Sequence, residues 1–185
     1  MTIRPSQMIP LGTKAPEFTL RDVISGKTLS FSQLKSEKAT VVVFICAHCP
    51  FVRHIIRNLV NLANQYIPED ITFIAISSND AESYPADSPE NLKKQAEELR
   101  FPFPYFYDST QEIAHAYGAE CTPDFFVFDS RLHCVYRGQF DDSRPGNQIP
   151  VTGKDLKAAL DSILESKPIS KIQKPSTGCN IKWKS

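Results

Sequence analysis

The sequence predicts an α/β fold, a central mixed sheet flanked by helices, on three observations. "TVVVFI" and "ITFIAIS" are continuous apolar runs rich in β-branched residues, as in strands buried on both faces. Between them, Val52, Ile55, Ile56, Leu59, Val60 and Ala63 recur with helical period. Further on, "DFFVFD" and "HCVYRG" flank the short turn "SRL" as a hairpin, and "GKDLKAALDSILE" follows as a helix.

Taken in chain order, "PEFTL" and "KTLSF" alternate around "ISG" and read as an N-terminal β-hairpin extension. The first buried strand, the helix from Phe51 to Tyr66 and the second buried strand make a βαβ unit. Its strands should be parallel, with a right-handed crossover. "SPENLKKQAEEL" opens with a serine, a proline and an acid in the order of a helix start. "FPYFYD" is a short extended piece, and "STQEIAHAYG" a short helix stopped by Gly118. A βαβ unit followed by ββα is the chain order of a thioredoxin-like fold, here with an inserted helix after the second central strand. Residues 1–165 read as that domain and residues 166–185 as a C-terminal tail.

The chain has 185 residues, the size of one domain, and 21 basic against 21 acidic side chains. This balance excludes the basic excess of a nucleic-acid binder. The run "VVVFICA" is too short to span a membrane. Residues 1–12 hold no apolar core of signal-peptide length, so the expected location is cytoplasmic. From Ser166 onward the lysines 167, 171, 174, 182 and 184 stand without a single acid, which reads as a solvated basic tail.

The chemistry lies in the cysteines: Cys46, Cys49, Cys121, Cys134 and Cys179. An odd count argues against a disulfide scaffold and for redox or metal chemistry in a reducing compartment. Cys134, inside a strand, reads as a small core residue. Cys46 and Cys49 form a CxxC beside a βαβ unit, a redox signature. Pro50 suits the first helical position, which puts Cys49 at or beside the helix N-cap. There the unpaired N–H groups and the helix dipole favour its thiolate, the reactive form. His48, between the cysteines, could lower a thiol pKa as a cation or take a proton as a base; its plain reading is an exposed loop histidine. Arg53, His54 and His115 read as surface residues. A zinc site would need two ligands beyond the CxxC, for which Cys121 and His48 are candidates, and no second pair has the spacing. No cofactor is called for. Pro123, at the start of a strand, is tolerated there in either the trans or the cis form.

"VVVFICAHCPFV", "CTPDFFVFD" and "GCNIKWK" together resemble the peroxiredoxin-like branch of the thioredoxin superfamily, related to the alkyl hydroperoxide reductase/thiol-specific antioxidant group. The resemblance runs from about Gly12 to the final "IKWK". It implies a cis Thr122–Pro123 bond set against the active-site cysteine. It also shows departures. With Cys49 on the peroxidatic position, the threonine of the Pro-x-x-x-Thr-x-x-Cys pattern falls on Cys46, its proline on Val42, and the distant arginine on Pro123. Against a thioredoxin CxxC that starts at Cys49, the second cysteine falls on Val52; in the other register Cys46 and Cys49 are themselves the pair.

The expected activity is thiol–disulfide exchange. Cys49 attacks, Cys46 is the first choice for the resolving thiol, Cys121 beside the cis-proline is the second, and Cys179 is a third if the tail folds over the site. The alternatives are a thiol peroxidase with antioxidant activity, a copper- or zinc-binding chaperone using Cys46, Cys49 and a distal histidine, and a binding module without chemistry. Expected partners are small thiols, protein disulfides or hydroperoxides, and a reductant of the thioredoxin or glutathione type.

Overall fold

The computed structural model describes residues 2–184. Its centre is a five-stranded sheet built from β4 (Ala39–Phe44), β5 (Ile71–Ser77), β6 (Tyr105–Tyr107), β8 (Asp124–Asp129) and β9 (Cys134–Gly138), in the order β6-β5-β4-β8-β9. β4, β5 and β6 are parallel, β8 runs antiparallel to β4, and β9 returns antiparallel to β8. This is the mixed thioredoxin-like sheet expected from the chain order.

The alternation of side chains explains why the central strands are apolar throughout. Val41, Val43, Phe73, Ala75, Phe125 and Val127 pack on one face with α2 (Pro50–Tyr66), α3 (Pro89–Glu98) and α5 (Lys154–Leu164). Val42, Phe44, Ile74, Ile76, Phe126 and Phe128 pack on the other, against α1 (Phe31–Leu34) and α4 (Glu112–Tyr117). Because successive residues of a strand point to opposite faces, a strand between two helical layers must be apolar at every position.

The N-terminal hairpin forms as β2 (Thr19–Arg21) and β3 (Thr28–Ser30). Phe31, expected in its second strand, instead starts α1, where Gln33 Oε1 accepts the Ser30 N–H at 2.8 Å and closes the first turn. Ser88 caps α3 by accepting the Asn91 N–H, and Gly118 ends α4 with a left-handed φ of 63°.

The solvated-tail reading fails for the last part of the chain. Residues 166–171 are largely exposed, but Ser176, Cys179, Ile181 and Lys182 are buried. Thr177–Asn180 forms β10, the middle strand of a small antiparallel sheet between β1 (Ile3–Pro5) and β7 (Cys121–Thr122). Ser176 Oγ donates to Gly138 O at 2.7 Å, and Trp183 stacks on His115 with ring centroids 4.2 Å apart. The lysines misled because a charge at the end of a long apolar stem does not keep its backbone out of a sheet. Among the described residues no helix is long and apolar enough to cross a membrane.

β10 approaches the Thr122–Pro123 turn so closely that a Cβ on Gly178 would lie 2.0 Å from Thr122 O. Gly178→Ala is therefore expected to cost about 3 kcal/mol, at the upper end of ordinary overpacking, because the obstacle is backbone that cannot swing aside. Urea unfolding of the two proteins measures this; equal midpoints would show that β10 does not sit this close.

Candidate active site

Cys49 is the N-cap of α2 and Pro50 its first residue. The helix thus begins after the CxxC and not within it, which settles the register: the position of a second helical cysteine holds Val52, buried in the core. The Thr122–Pro123 bond is cis, as the resemblance implied. Its turn faces the cysteines: Thr122 Oγ1 lies 3.5 Å from Cys46 Sγ, and Thr122 O lies 3.2 Å from Cys49 Sγ.

β10 brings the third sulfur. Cys179 pairs in register with Thr122, and its Sγ lies 2.7 Å from Cys49 Sγ. Both are fully enclosed, as is Cys46. Cys121, the second choice for a partner, is not brought into this cluster. Thr122 faces Cys46, so its neighbour in the strand faces away, and Cys121 Sγ donates to Pro123 O at 3.8 Å. Burial pushes the Cys121 thiol up, away from the reactive form. Cys134 is buried in the core as expected, its thiol pushed up to about 11 by burial.

One charge is shared unequally among the three clustered thiols. The Cys49 thiol is pushed down to about 5, first by the hydrogen bond from Cys46; burial opposes this, and Cys179, Thr122 and the Val52 amide add to the lowering. Cys46 is pushed well up by donating to Cys49, by burial and by the nearby charge of Asp87. Burial, then donation to Cys49, pushes Cys179 up to about 12. Donors to a charged acceptor are worth about 1.5–3 kcal/mol each, and here several of them outweigh the desolvation of one thiolate. The Thr122 carbonyl is the contact that counts the other way, since it can only accept from the protonated form.

The CxxC loop is held by a residue with no sequence signal. Asp87, fully buried at the end of a 3₁₀ turn before α3, accepts Ala47 N–H at 2.8 Å and His48 N–H at 3.1 Å through Oδ1. Its Oδ2 accepts His48 Nδ1 at 2.5 Å and Asn79 Nδ2 at 2.7 Å. His48 is therefore not the free loop histidine of the plain reading. It is half-buried, stacks on Tyr84, and its Nδ1 lies 4.0 Å from Cys46 Sγ, with that nitrogen already committed to Asp87. Arg53 also has a structural task, donating Nε–H to Ala47 O at 2.9 Å.

A buried nucleophile-grade sulfur at a helix start, opposite a cis-proline, with a second thiol in contact, is the arrangement of thiol-based redox proteins. The AhpC/TSA family pattern matches residues 11–137 of this sequence, more than half of it. The chain belongs to the AhpC/TSA family. Its fold is thioredoxin-like, and the family supports a thiol-based redox function. An uncharacterised conserved protein from Geobacillus kaustophilus is 60% identical, with a TM-score of 0.98 over 100% of this chain and 97% of that one. A hypothetical protein from Sinorhizobium meliloti is 43% identical, with a TM-score of 0.95 over 98% of both chains. The peroxidoxin BcpB from Mycobacterium tuberculosis shares the fold at 19% identity, TM-score 0.63, over 84% of this chain and 96% of that one. No curated protein matches it in sequence.

Ligand atoms of Cys46, His48 and Asp87 lie within 4.8 Å of one another in this AhpC/TSA protein, close enough to suggest a metal. The donor chemistry does not fit an open site. Asp87 accepts four N–H bonds, two on each oxygen, which uses both lone pairs of each. Among the described residues no distal histidine joins this group: His54 Nε2 bonds Ser143 Oγ at 2.7 Å, and His115 stacks on Trp183. Asn79 could have been found, since a polar residue just beyond a buried parallel strand lies at the crevice edge of an α/β sheet. Asp87 could not; it lies in the polar stretch "NDAESYPADSP", which reads only as loop.

The Cys49 shift makes stability depend on pH. An unfolded thiol titrates near ~8.5, the folded one near 5. Between these values the unfolded chain holds a proton that the native state lacks, so stability rises with pH; the gain is complete above the unfolded value and is lost as pH falls through 5. The stability difference between the reduced protein and its Cys49→Ser variant is expected to grow from pH 5 to pH 8, measured by urea unfolding. A difference that stays flat would mean that Cys49 remains a thiol.

Proposed function

We propose that the protein is a thiol–disulfide oxidoreductase with Cys49 as nucleophile and Cys179 as resolving thiol. The observation that carries this is the 2.7 Å contact between the Cys49 and Cys179 sulfurs at the N-cap of α2. The Cys49 thiolate attacks a substrate disulfide; one thiolate leaves, takes a proton, and the other half stays bonded to Cys49. Cys179 then gives up its proton and attacks the Cys49 sulfur. The second substrate thiol is released and a Cys49–Cys179 disulfide remains. A dithiol reductant or two small thiols, of the thioredoxin or glutathione type, return it to the reduced state.

Burial and the Cys49 thiolate are what hold the Cys179 proton. Once Cys49 is covalently bonded, its negative charge is gone and only burial still opposes the Cys179 thiolate, with Lys182 on the favourable side. The second step is thus eased by the first. Cys46, first choice on sequence, keeps Asp87 beside it at every stage. The proposed setting is the reducing cytoplasm, where thiols are kept reduced.

Peroxidase chemistry with the same Cys49 is the reading that the family favours, and the substitutions at Cys46 and Pro123 count against it. Oxidised glutathione and a protein disulfide serve as test substrates. Cys49→Ser is expected to reduce turnover by about a thousandfold or more. Cys179→Ser is expected to accumulate the mixed disulfide on Cys49, seen by intact mass. Reaction of the reduced protein with one equivalent of hydrogen peroxide at the rate of free cysteine would agree. Consumption of Cys49 orders of magnitude faster would overturn the proposal in favour of a peroxidase.

A further inference from the structure

We infer that Asp87 is the positioning residue that decides which thiol answers Cys49. It places a negative charge and a rigid loop beside Cys46, and through Asn79 it holds the segment that presents Cys179. The inference rests on the proposed exchange reaction, in which Cys49 has two candidate partners.

The geometry carries both halves. On one side, the Asp87 carboxylate takes the Ala47 and His48 amides and His48 Nδ1, so the loop between the CxxC cysteines cannot turn without breaking three bonds to one buried group. A carboxylate within 4.8 Å of the Cys46 sulfur, with both groups buried, disfavours a second negative charge on Cys46. Cys46 is kept as a thiol that donates, and a thiol is a poor attacker. On the other side, Asn79 Nδ2 donates to Asp87 Oδ2 while Asn79 Oδ1 accepts the Lys182 N–H at 2.9 Å. Lys182 follows β10 by two residues, and its carbonyl is held by the Asp80 amide and Gln111 Nε2, each at 2.8 Å. The bridge from Asp87 to Asn79 to Lys182 therefore ties the strand of Cys179 to the loop of Cys46. One carboxylate holds back the near partner and steadies the far one.

The test is which bridge forms. Reduced full-length protein is treated with one equivalent of oxidised glutathione, quenched in acid, alkylated and mapped by mass spectrometry. The wild type is expected to give mainly Cys49–Cys179. Asp87→Asn is close in size, removes the charge and turns one of the two acceptor oxygens into a donor, which weakens the loop or the Asn79 tie as well; it should raise the ratio of Cys46–Cys49 to Cys49–Cys179 about tenfold. Asp87→Glu, which restores the charge, should bring the ratio back towards wild type. A role in stability alone would lower the melting temperature of Asp87→Asn and leave the ratio within twofold, which would overturn the inference. If Asp87→Asn does not fold, Asn79→Ala decides: it keeps the charge and cuts the tie to Lys182, and should lower the Cys49–Cys179 share. An unchanged share in that variant overturns the inference. A wild type that forms mainly Cys46–Cys49 overturns the reading of Cys179 as well; a wild type with the Cys49–Cys179 bridge and an indifferent Asp87→Asn overturns this inference alone.

Discussion

A thiolate out of contact with water is tolerated only where hydrogen-bond donors replace the water it has lost, and the structure around Cys49 is organised by that need. The donors come from four segments, two beside Cys49 and two far from it in the chain. Cys46 comes from the loop after β4, the Val52 amide from the first turn of α2, Thr122 from the residue before the cis-proline, and Cys179 from β10. Cys46 contributes most to the lowering, and the other three add to it against the cost of burial. The sheet brings the first three to its carboxyl edge, as open α/β sheets do. The fourth requires the chain to return across that edge, and Gly178 lets it pass against the Thr122 carbonyl.

The burial of the site has a second consequence. Three sulfurs within reach of one another cannot all ionise in a medium that screens charge poorly. Cys49 takes the charge because both other thiols, Thr122 and the Val52 amide all donate to it. Its neighbours are then held protonated by the very charge they stabilise, with burial acting on all three and Asp87 adding its own charge at Cys46. The asymmetry is thus a property of the cluster and not of any one cysteine.

The strands and helices were legible because their apolar periods are long and uninterrupted. The two buried strands, α2 with Pro50 at its start, and the closing hairpin all follow from patterns within one element. The placement of Cys49 at the helix start was legible for the same reason, as a local junction of strand, proline and helix. β10 was not. "TGCN" carries a glycine and an asparagine, both depleted in strands, and it is extended only because β1 and β7 pair with it on either side. The lysines around it suggested water, yet Lys182 is buried and its Nζ finds Asn180 O at 2.6 Å. Asp87 was invisible for a different reason. A carboxylate that serves backbone amides of a loop thirty-nine residues away leaves no trace in local spacing.

The departures from the peroxiredoxin pattern acquire a physical meaning in this light. A threonine hydroxyl and an arginine, where that pattern has them, are donors that stabilise a thiolate and never bond to it. Here the threonine position is Cys46 and the added donor is Cys179. A thiol in the donor's place can do both things: it lends its proton to the thiolate in the resting state, and it can displace whatever has bonded to that sulfur afterwards. In the proposed reaction, a contact that lowers the Cys49 thiol and the contact that releases its product are then the same contact. That economy suits a substrate whose own leaving atom is sulfur, since every step of the cycle exchanges one sulfur for another at the same atom. A peroxide offers oxygen instead: it is attacked by the same thiolate, but a thiol beside that sulfur can act as a displacing group only after the oxygen has been transferred.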